Sequence, residues 1–285
     1  MPGINKEHRN QYALVTGATS GIGYELAKLF ANDGYHLLLV ARTDDRLQEV
    51  TNEFKQLGVE VTPLAYDLFE ASAADAIYHE VKRMGINVHV LVNNAGQGEH
   101  GRFHEVEVER HHQLIQLNIT SLVTLTHHFL SDMLRRNEGR ILNLSSVVAK
   151  TPAPEFAVYA ASKAFVLSLS EALSKEVEGT NVTVTALMPG RTDTDFFSKA
   201  HMEHTKEYQE HKLDDPADVA RAGYDAMMRG DTKVVAGVAN KMMVGIMNVM
   251  PDSANAATMQ KNMQPAEEQK RAGPGHEPSK KAHKQ

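Results

Sequence analysis

Seven short apolar runs, separated by longer stretches of helical periodicity, constrain this chain more than any other feature. The runs fall near residues 12–16, 36–41, 59–65, 88–92, 139–145, 181–187 and 233–236. Between them, segments near 22–33, 44–57, 71–84, 106–136, 157–178 and 216–229 carry apolar residues at helical spacing. Strand–helix alternation of this kind calls for a parallel sheet covered on both faces. Right-handed crossovers then give a Rossmann-like, doubly wound α/β fold, expected here as one domain around a mostly parallel, seven-stranded sheet. Its ligand site belongs beyond the carboxyl ends of the strands. Gly17, Ala41, Asp67, Asn93, Ser146 and Pro189 all fall at or just after strand ends.

Two local patterns suggest chemistry at that edge. The run from Tyr12 to Gly23 is an apolar strand, a turn of the form Gly17-x-x-x-Gly21-x-Gly23 and the start of an amphipathic helix. Glycines let the backbone adopt positive φ and approach a ligand closely. A helix N-terminus adds free N–H groups and a positive dipole end suited to a pyrophosphate. Such a turn also has a purely structural use. The second pattern is Tyr159-Ala160-Ala161-Ser162-Lys163. Four residues apart on a helix, the phenol and the ammonium share one face. A neighbouring positive charge favours the phenolate, so the expectation is a lowered tyrosine pKa and a tuned proton donor.

These motifs, taken in order, resemble the short-chain dehydrogenase/reductase family over about residues 10–240. Thr16-Gly17-x-x-x-Gly21-Ile22-Gly23 matches its cofactor loop, with Thr19 and Ser20 inside the turn, and Asn93-Asn94-Ala95-Gly96 matches the motif after its fourth strand. Asn118, Ser146, Tyr159 and Lys163 match its catalytic tetrad, and Pro189-Gly190-x-x-x-Thr194 its nicotinamide-side loop, with Thr192 inside. The family's 13-residue spacing from serine to tyrosine selects Ser146 over Ser145 and leaves Ser145 a structural hydroxyl.

The resemblance implies hydride transfer between a nicotinamide cofactor and a carbonyl or alcohol. Tyr159 would exchange the proton, Ser146 would bond the substrate oxygen, and Lys163 would tune the tyrosine and touch the ribose. Asn118 would hold a water behind the lysine. Asp67 would contact adenine. Arg42, where an NAD enzyme would carry a carboxylate, can grip a 2′-phosphate. NADP(H) is therefore the expected cofactor and NAD(H) the alternative. The other reading of Arg42 is a helix cap or a pair with Asp44 or Asp45. A homodimer or homotetramer is expected. The rival readings are a non-catalytic dinucleotide sensor and a membrane-associated scaffold of the same fold.

Composition sets the remaining expectations. A formal charge of −6 gives no reason to expect nucleic acid as a partner, and the chain has no cysteine for disulfide or thiolate chemistry. Met1 to Lys6 lacks a signal-peptide core, so a cytoplasmic setting is expected. The fifteen histidines show no His-Glu-x-x-His pattern, and no metal is expected; His100 is a candidate for lining the substrate cleft. Residues 195–202 read as a lid whose Phe and Met side chains suit an apolar substrate. Met242 to Met250 form an apolar, Met-rich segment for packing, subunit contact or, more sharply, a membrane surface. The expected organisation is an extension over 1–10, a catalytic domain over 11–250 and a tail over 251–285 that loses order from about 264.

Overall fold

Central strands buried along nearly their whole length, with apolar side chains on both faces, build a seven-stranded sheet with the more exposed β3 and β7 at its edges. The computed structural model describes residues 8–42 and 44–266, so Thr43 and parts of the expected extension and tail lie outside the described residues. The strands are β1 (Tyr12–Thr16), β2 (His36–Ala41), β3 (Val61–Ala65), β4 (Val88–Asn93), β5 (Gly139–Leu144), β6 (Val182–Met188) and β7 (Lys233–Val235). Their order is β3-β2-β1-β4-β5-β6-β7, and every pairing is parallel. The order reverses between β1 and β4, which opens a crevice above their carboxyl ends.

Period-two alternation divides the core into two layers. Ala13, Val15, Leu37 and Leu39 face one cluster, while Leu14, Leu38 and Val40 face the other. Helices α1 (Gly21–Asn32), α2 (Asp44–Lys55) and α9 (Pro216–Arg229) cover the first layer through Leu26, Phe30, Leu47, Phe54 and Met227. Helices α3 (Ala73–Arg83), α5 (Ser121–Arg136) and α6 (Ala157–Glu176) cover the second, with Ile77, Val81, Phe129 and Met133 buried. Helix α9 shows how local sequence sets its limits. Asp215 accepts from Ala217 N at 2.8 Å, Pro216 opens the first turn, and Gly230 ends it at φ 77°.

Two segments depart from the sequence expectation. The span 106–136 is not one helix: α4 (Val108–Ile115) passes into a π turn over Gln116–Thr120 before α5 begins. The chain also does not leave the domain at residue 250. After α7 (Phe196–Lys199), α8 (Lys206–Gln209) and α10 (Val238–Met247), a last helix α11 (Asp252–Met263) buries Asn255, Met259 and Met263. Burying a methionine contributes about 1.5–3 kcal/mol, enough to hold a helix whose propensity alone would not. Residues 264–266 are paired as well. Pro265 bridges Thr205, Lys206 N donates to Gln264 O at 3.0 Å, and Ala266 N to His204 O at 3.1 Å. The rest of the expected tail, from 267, lies outside the described residues.

Candidate active site

The turn between β1 and α1 is held by hydrogen bonds that leave no room for side chains. Thr16 Oγ1 donates to Val92 O at 3.2 Å and accepts from Asn94 N and Ala95 N, each at 3.0 Å. Asn94 Nδ2 donates to Thr16 O at 2.8 Å and Gly17 O at 3.1 Å. The tips of β1 and β4 are thereby locked together. Gly17 sits at φ 65° and Gly21 at φ 55°. A Cβ on Gly23 would lie 2.3 Å from both Asn94 Nδ2 and Gly17 O, and one on Gly21 would lie 2.7 Å from Thr194 Cγ2. Ser20 precedes α1 in extended conformation and makes no side-chain cap hydrogen bond, which leaves the first-turn N–H groups to a ligand.

A cavity of about 310 Å³ runs from this turn across the sheet edge. Its walls include Gly17, Thr19, Ser20, Gly21, Ile22, Arg42, Asp67, Asn94 and Ala95 towards one end and Ser146, Tyr159, Lys163, Pro189, Gly190 and Thr192 towards the other, with Thr194 beside Gly21 and Gly96 beside Lys163 where the two meet. Gly23 and Asn118 stand behind the wall. Gly23 is a packing position, and Asn118 works through its neighbours.

Asn118 lies in the π turn, buried. Its Nδ2 donates to Gln97 O at 2.9 Å and Ser162 Oγ at 3.1 Å, and its Oδ1 accepts from Gln97 N at 3.0 Å. The extra residue of a π turn, frequent at functional sites, here turns an amide onto the loop after β4. A Cβ on Gly96 would come within 3.2 Å of Lys163 Nζ and 3.3 Å of Asn118 Oδ1. That glycine keeps the space between the two polar groups open. Lys163 Nζ donates to Leu144 O at 2.9 Å and stands 5.6 Å from the centroid of the Tyr159 ring. Ser145 Oγ donates to Lys163 O at 2.8 Å, the structural use expected of it. Ser146 opens a short 3₁₀ turn (Val147–Lys150); its hydroxyl donates to Pro189 O at 3.5 Å and accepts from Val148 N at 3.3 Å, and it is near enough to Tyr159 to act on that phenol's pKa. Deeper in, Asn93 Nδ2 donates to Thr126 Oγ1 and Asn143 Oδ1, both at 2.9 Å, and stiffens β4 against β5 and α5.

The electrostatics correct one expectation. Burial raises the Tyr159 pKa, with the Ser146 hydrogen bond acting the other way. Burial also lowers the Lys163 pKa from 10.5 to about 8. Desolvation penalises both charged forms, and at this pair it outweighs the mutual attraction inferred from spacing alone. Tyr159 is therefore a neutral phenol at neutral pH, holding its proton.

At the cofactor end, the Arg42 guanidinium stacks 5.3 Å from the Phe69 ring centroid, with Arg110 at 5.7 Å from the same ring. Asp67 Oδ1 accepts from Phe69 N at 3.0 Å, so the aspartate fixes the turn that presents this ring. The Asp44 side chain lies outside the described residues. Arg46 Nε reaches Thr19 O at 3.4 Å, a second cation at the turn. Phe69, Arg46 and Gln97 carried no recognisable signal, because their partners are distant in sequence.

At the other end the wall is apolar. Phe156 and Phe196 flank Tyr159, with ring centroids at 4.5 and 5.1 Å. Phe197, Met202, Met259 and Met263 extend the cluster. Arg191, unassigned from sequence, forms a two-point ion pair with buried Glu207, Nε–Oε1 2.6 Å and Nη2–Oε2 3.1 Å. His100 is absent from the cavity wall. Its ring lies 3.4 Å from Glu155 Oε2 and packs edge-on to His204, tying the lid to the body, and burial lowers its pKa. Its neighbours in sequence are on the loop after β4, which explains why proximity to the cleft was misjudged. Among the described residues, no group of three or more His, Asp or Glu side chains is placed to hold a metal ion.

Residues 11–205 match the family model described as short chain dehydrogenase. The chain belongs to this family. An uncharacterized oxidoreductase of Bacillus subtilis is 35% identical over 187 residues, covering 66% of this chain and 70% of the relative. A fatty acyl-CoA reductase of Acinetobacter baylyi is 36% identical over 182 residues, 63% of this chain and 61% of that protein. A short-chain dehydrogenase from Sphingobium yanoikuyae, solved in complex with NADPH, superposes with a TM-score of 0.75 at 28% identity, covering 85% of this chain and 96% of the other. As a short-chain dehydrogenase family member, the chain is an oxidoreductase of Rossmann-like fold that takes a nicotinamide dinucleotide. No helix among its described residues is long and apolar enough to cross a membrane.

Proposed function

We propose that the protein is an NADP(H)-dependent reductase or alcohol dehydrogenase acting on a largely apolar carbonyl or alcohol. One observation carries the reading: Ser146, Tyr159 and Lys163 meet at one end of a cavity whose other end holds the glycine turn and Arg42. The glycine turn suits a dinucleotide, because its close-packed backbone admits phosphates where a Cβ would collide. Arg42, already stacked on Phe69, is positioned for a 2′-phosphate, and Arg46 adds charge beside Thr19. The bound NADPH of the Sphingobium relative supports the same choice.

When bound, the nicotinamide supplies the hydride. Tyr159, a neutral phenol held by burial, donates its proton to the carbonyl oxygen in the reductive direction. Ser146, beside Tyr159, hydrogen-bonds that oxygen. Lys163, tied to Leu144 O, bonds the nicotinamide ribose and supplies the positive charge that favours the phenolate after proton loss. Asn118 fixes the Gln97 backbone and, through the gap at Gly96, holds the water that returns a proton to Lys163. Thr192 and Thr194 orient the carboxamide, and Phe156 and Phe196 exclude water around Tyr159. The reading includes a cytoplasmic setting and a homodimeric or homotetrameric assembly. Its test is a carbonyl panel with NADPH and NADH, run on the wild type and on Tyr159→Phe. Turnover in the variant should fall by about 10²–10⁴-fold with NADPH binding retained. Near-normal turnover sinks the mechanism, and a preference for NADH sinks the cofactor assignment.

A further inference from the structure

A second cavity of about 370 Å³ adjoins the first, in the slot between α10 and α11. Four residues, Arg191, Met243, Met247 and Met259, are walls of both. The two spaces are therefore separated by side chains and not by backbone. Three of those four are methionines, unbranched and with three rotatable bonds, which can part at low cost. The fourth, Arg191, is neutralised by Glu207 and offers no free charge. Of the three polar residues on the α11 wall, two are satisfied locally: Asn255 Nδ2 donates to Met247 O at 2.9 Å, and Thr258 Oγ1 to Ala254 O at 3.0 Å; the third, Asn262, is half-buried near the end of the helix. On the α10 side the outer wall is Met242, Ile246 and Met250, exposed to 66, 55 and 37%. Apolar side chains at such exposure, rimming a cavity that shares walls with the first, mark a binding surface for apolar matter.

We infer that the substrate carries an unbranched alkyl chain, which threads from the Tyr159 end between Met243, Met247 and Met259 into the slot between α10 and α11. This rests on the function proposed above and adds the class of the substrate body. A passage that opens by the parting of three methionine side chains suits a narrow, flexible chain better than a broad, rigid ring system. Ten of the eleven wall residues of the slot, all but Arg191, lie beyond residue 205, outside the segment matched to the family model.

The test uses the full chain with NADPH and the straight aldehydes from four to twelve carbons, beside a rigid polycyclic ketone. In parallel, the saturated straight alcohols of the same lengths are followed by thermal shift in the presence of NADP. Each methylene taken into the slot should raise kcat/KM or affinity by about fourfold, until the chain fills it. Met247→Trp and Met243→Trp should cut the twelve-carbon over four-carbon ratio by tenfold or more, with melting curves confirming that each variant is folded. Ile246→Ser, at the rim, should lower the same ratio and provides a variant less able to disturb packing. Affinity that rises with length without turnover supports the slot and refutes the proposed activity. Turnover of short aldehydes with no gain from length, a higher kcat/KM for the polycyclic ketone, or ratios unmoved in all three variants would overturn the inference.

Discussion

The two ends of the cavity are built on opposite principles. At the glycine turn the backbone is cross-linked by Thr16 and Asn94, and a Cβ on Gly23 would stand 2.3 Å from two neighbours. At the substrate end the wall of Phe156, Phe196 and Phe197 is completed by methionines of α10 and α11, and on the exposed face of α10 a Cβ on Gly245 would meet nothing within 4 Å. A dinucleotide presents the same phosphates to every enzyme that binds it, so a rigid, fully satisfied cradle suits it. A substrate wall of soft side chains can be altered without disturbing that cradle.

This contrast can be broken by measurement, beginning with the buried ammonium that stands between the two ends. In the unfolded chain Lys163 has its ordinary pKa of 10.5, and in the folded chain about 8. Between these values the unfolded state binds one more proton, so the stability of the wild type rises with pH across that window. The contribution is about 3 kcal/mol. Lys163→Met lacks it. Urea unfolding at pH 7.5 and 10.5 should show the difference, variant minus wild type, falling by about that amount. A constant difference would mean that the ammonium is solvated. The Tyr159 shift acts above pH 10 and is common to both proteins.

Cofactor choice comes next in size. Arg42→Ala should weaken NADPH binding by about 1.5–3 kcal/mol and leave NADH nearly unchanged. Equal losses for both would show that Arg42 does not read a 2′-phosphate. A pair of glycine substitutions addresses the contrast directly. Gly23→Ala should destabilise the fold by about 1–3 kcal/mol and weaken cofactor binding, because Asn94 and the Gly17 carbonyl must move. Gly245→Ala should stabilise α10 by about 0.5–1 kcal/mol, since an open helical position gains from alanine. Similar effects at both would erase the distinction between a rigid and an adaptable end.

The rigid end was largely legible in the sequence. Strand runs, the glycine turn and Asn94 are local patterns, and the strand ends gather them without further information. Ser146 needed the family's spacing to be separated from Ser145. What could not be read depends on burial or on distant partners. The Tyr159–Lys163 spacing gave the pair but not the sign of the tyrosine shift, because desolvation is a property of the packed site. Arg191, on the loop after β6, and Glu207, in the short helix α8, are sixteen residues apart, and nothing local announces their pairing. Helix α11 carries its buried face on Met259 and Met263 among polar residues, so its periodicity is faint and the domain end was placed at 250. The Met-rich segment was recognised as unusual, but its place beside the substrate cavity emerged only when α10 and α11 were seen together.

The pairing of Thr205 with Pro265 and of His204 with Ala266 has a consequence in time as well as in space. A ribosome delivers Gly17, Tyr159, Lys163 and six of the seven strands before residue 190 has been added. The Met259 and Met263 wall, and the stitch beside it, are added only after α9, β7 and α10. The order of synthesis thus brings out the glycine turn and the Tyr159–Lys163 pair ahead of the helices that close the far side of the cavity.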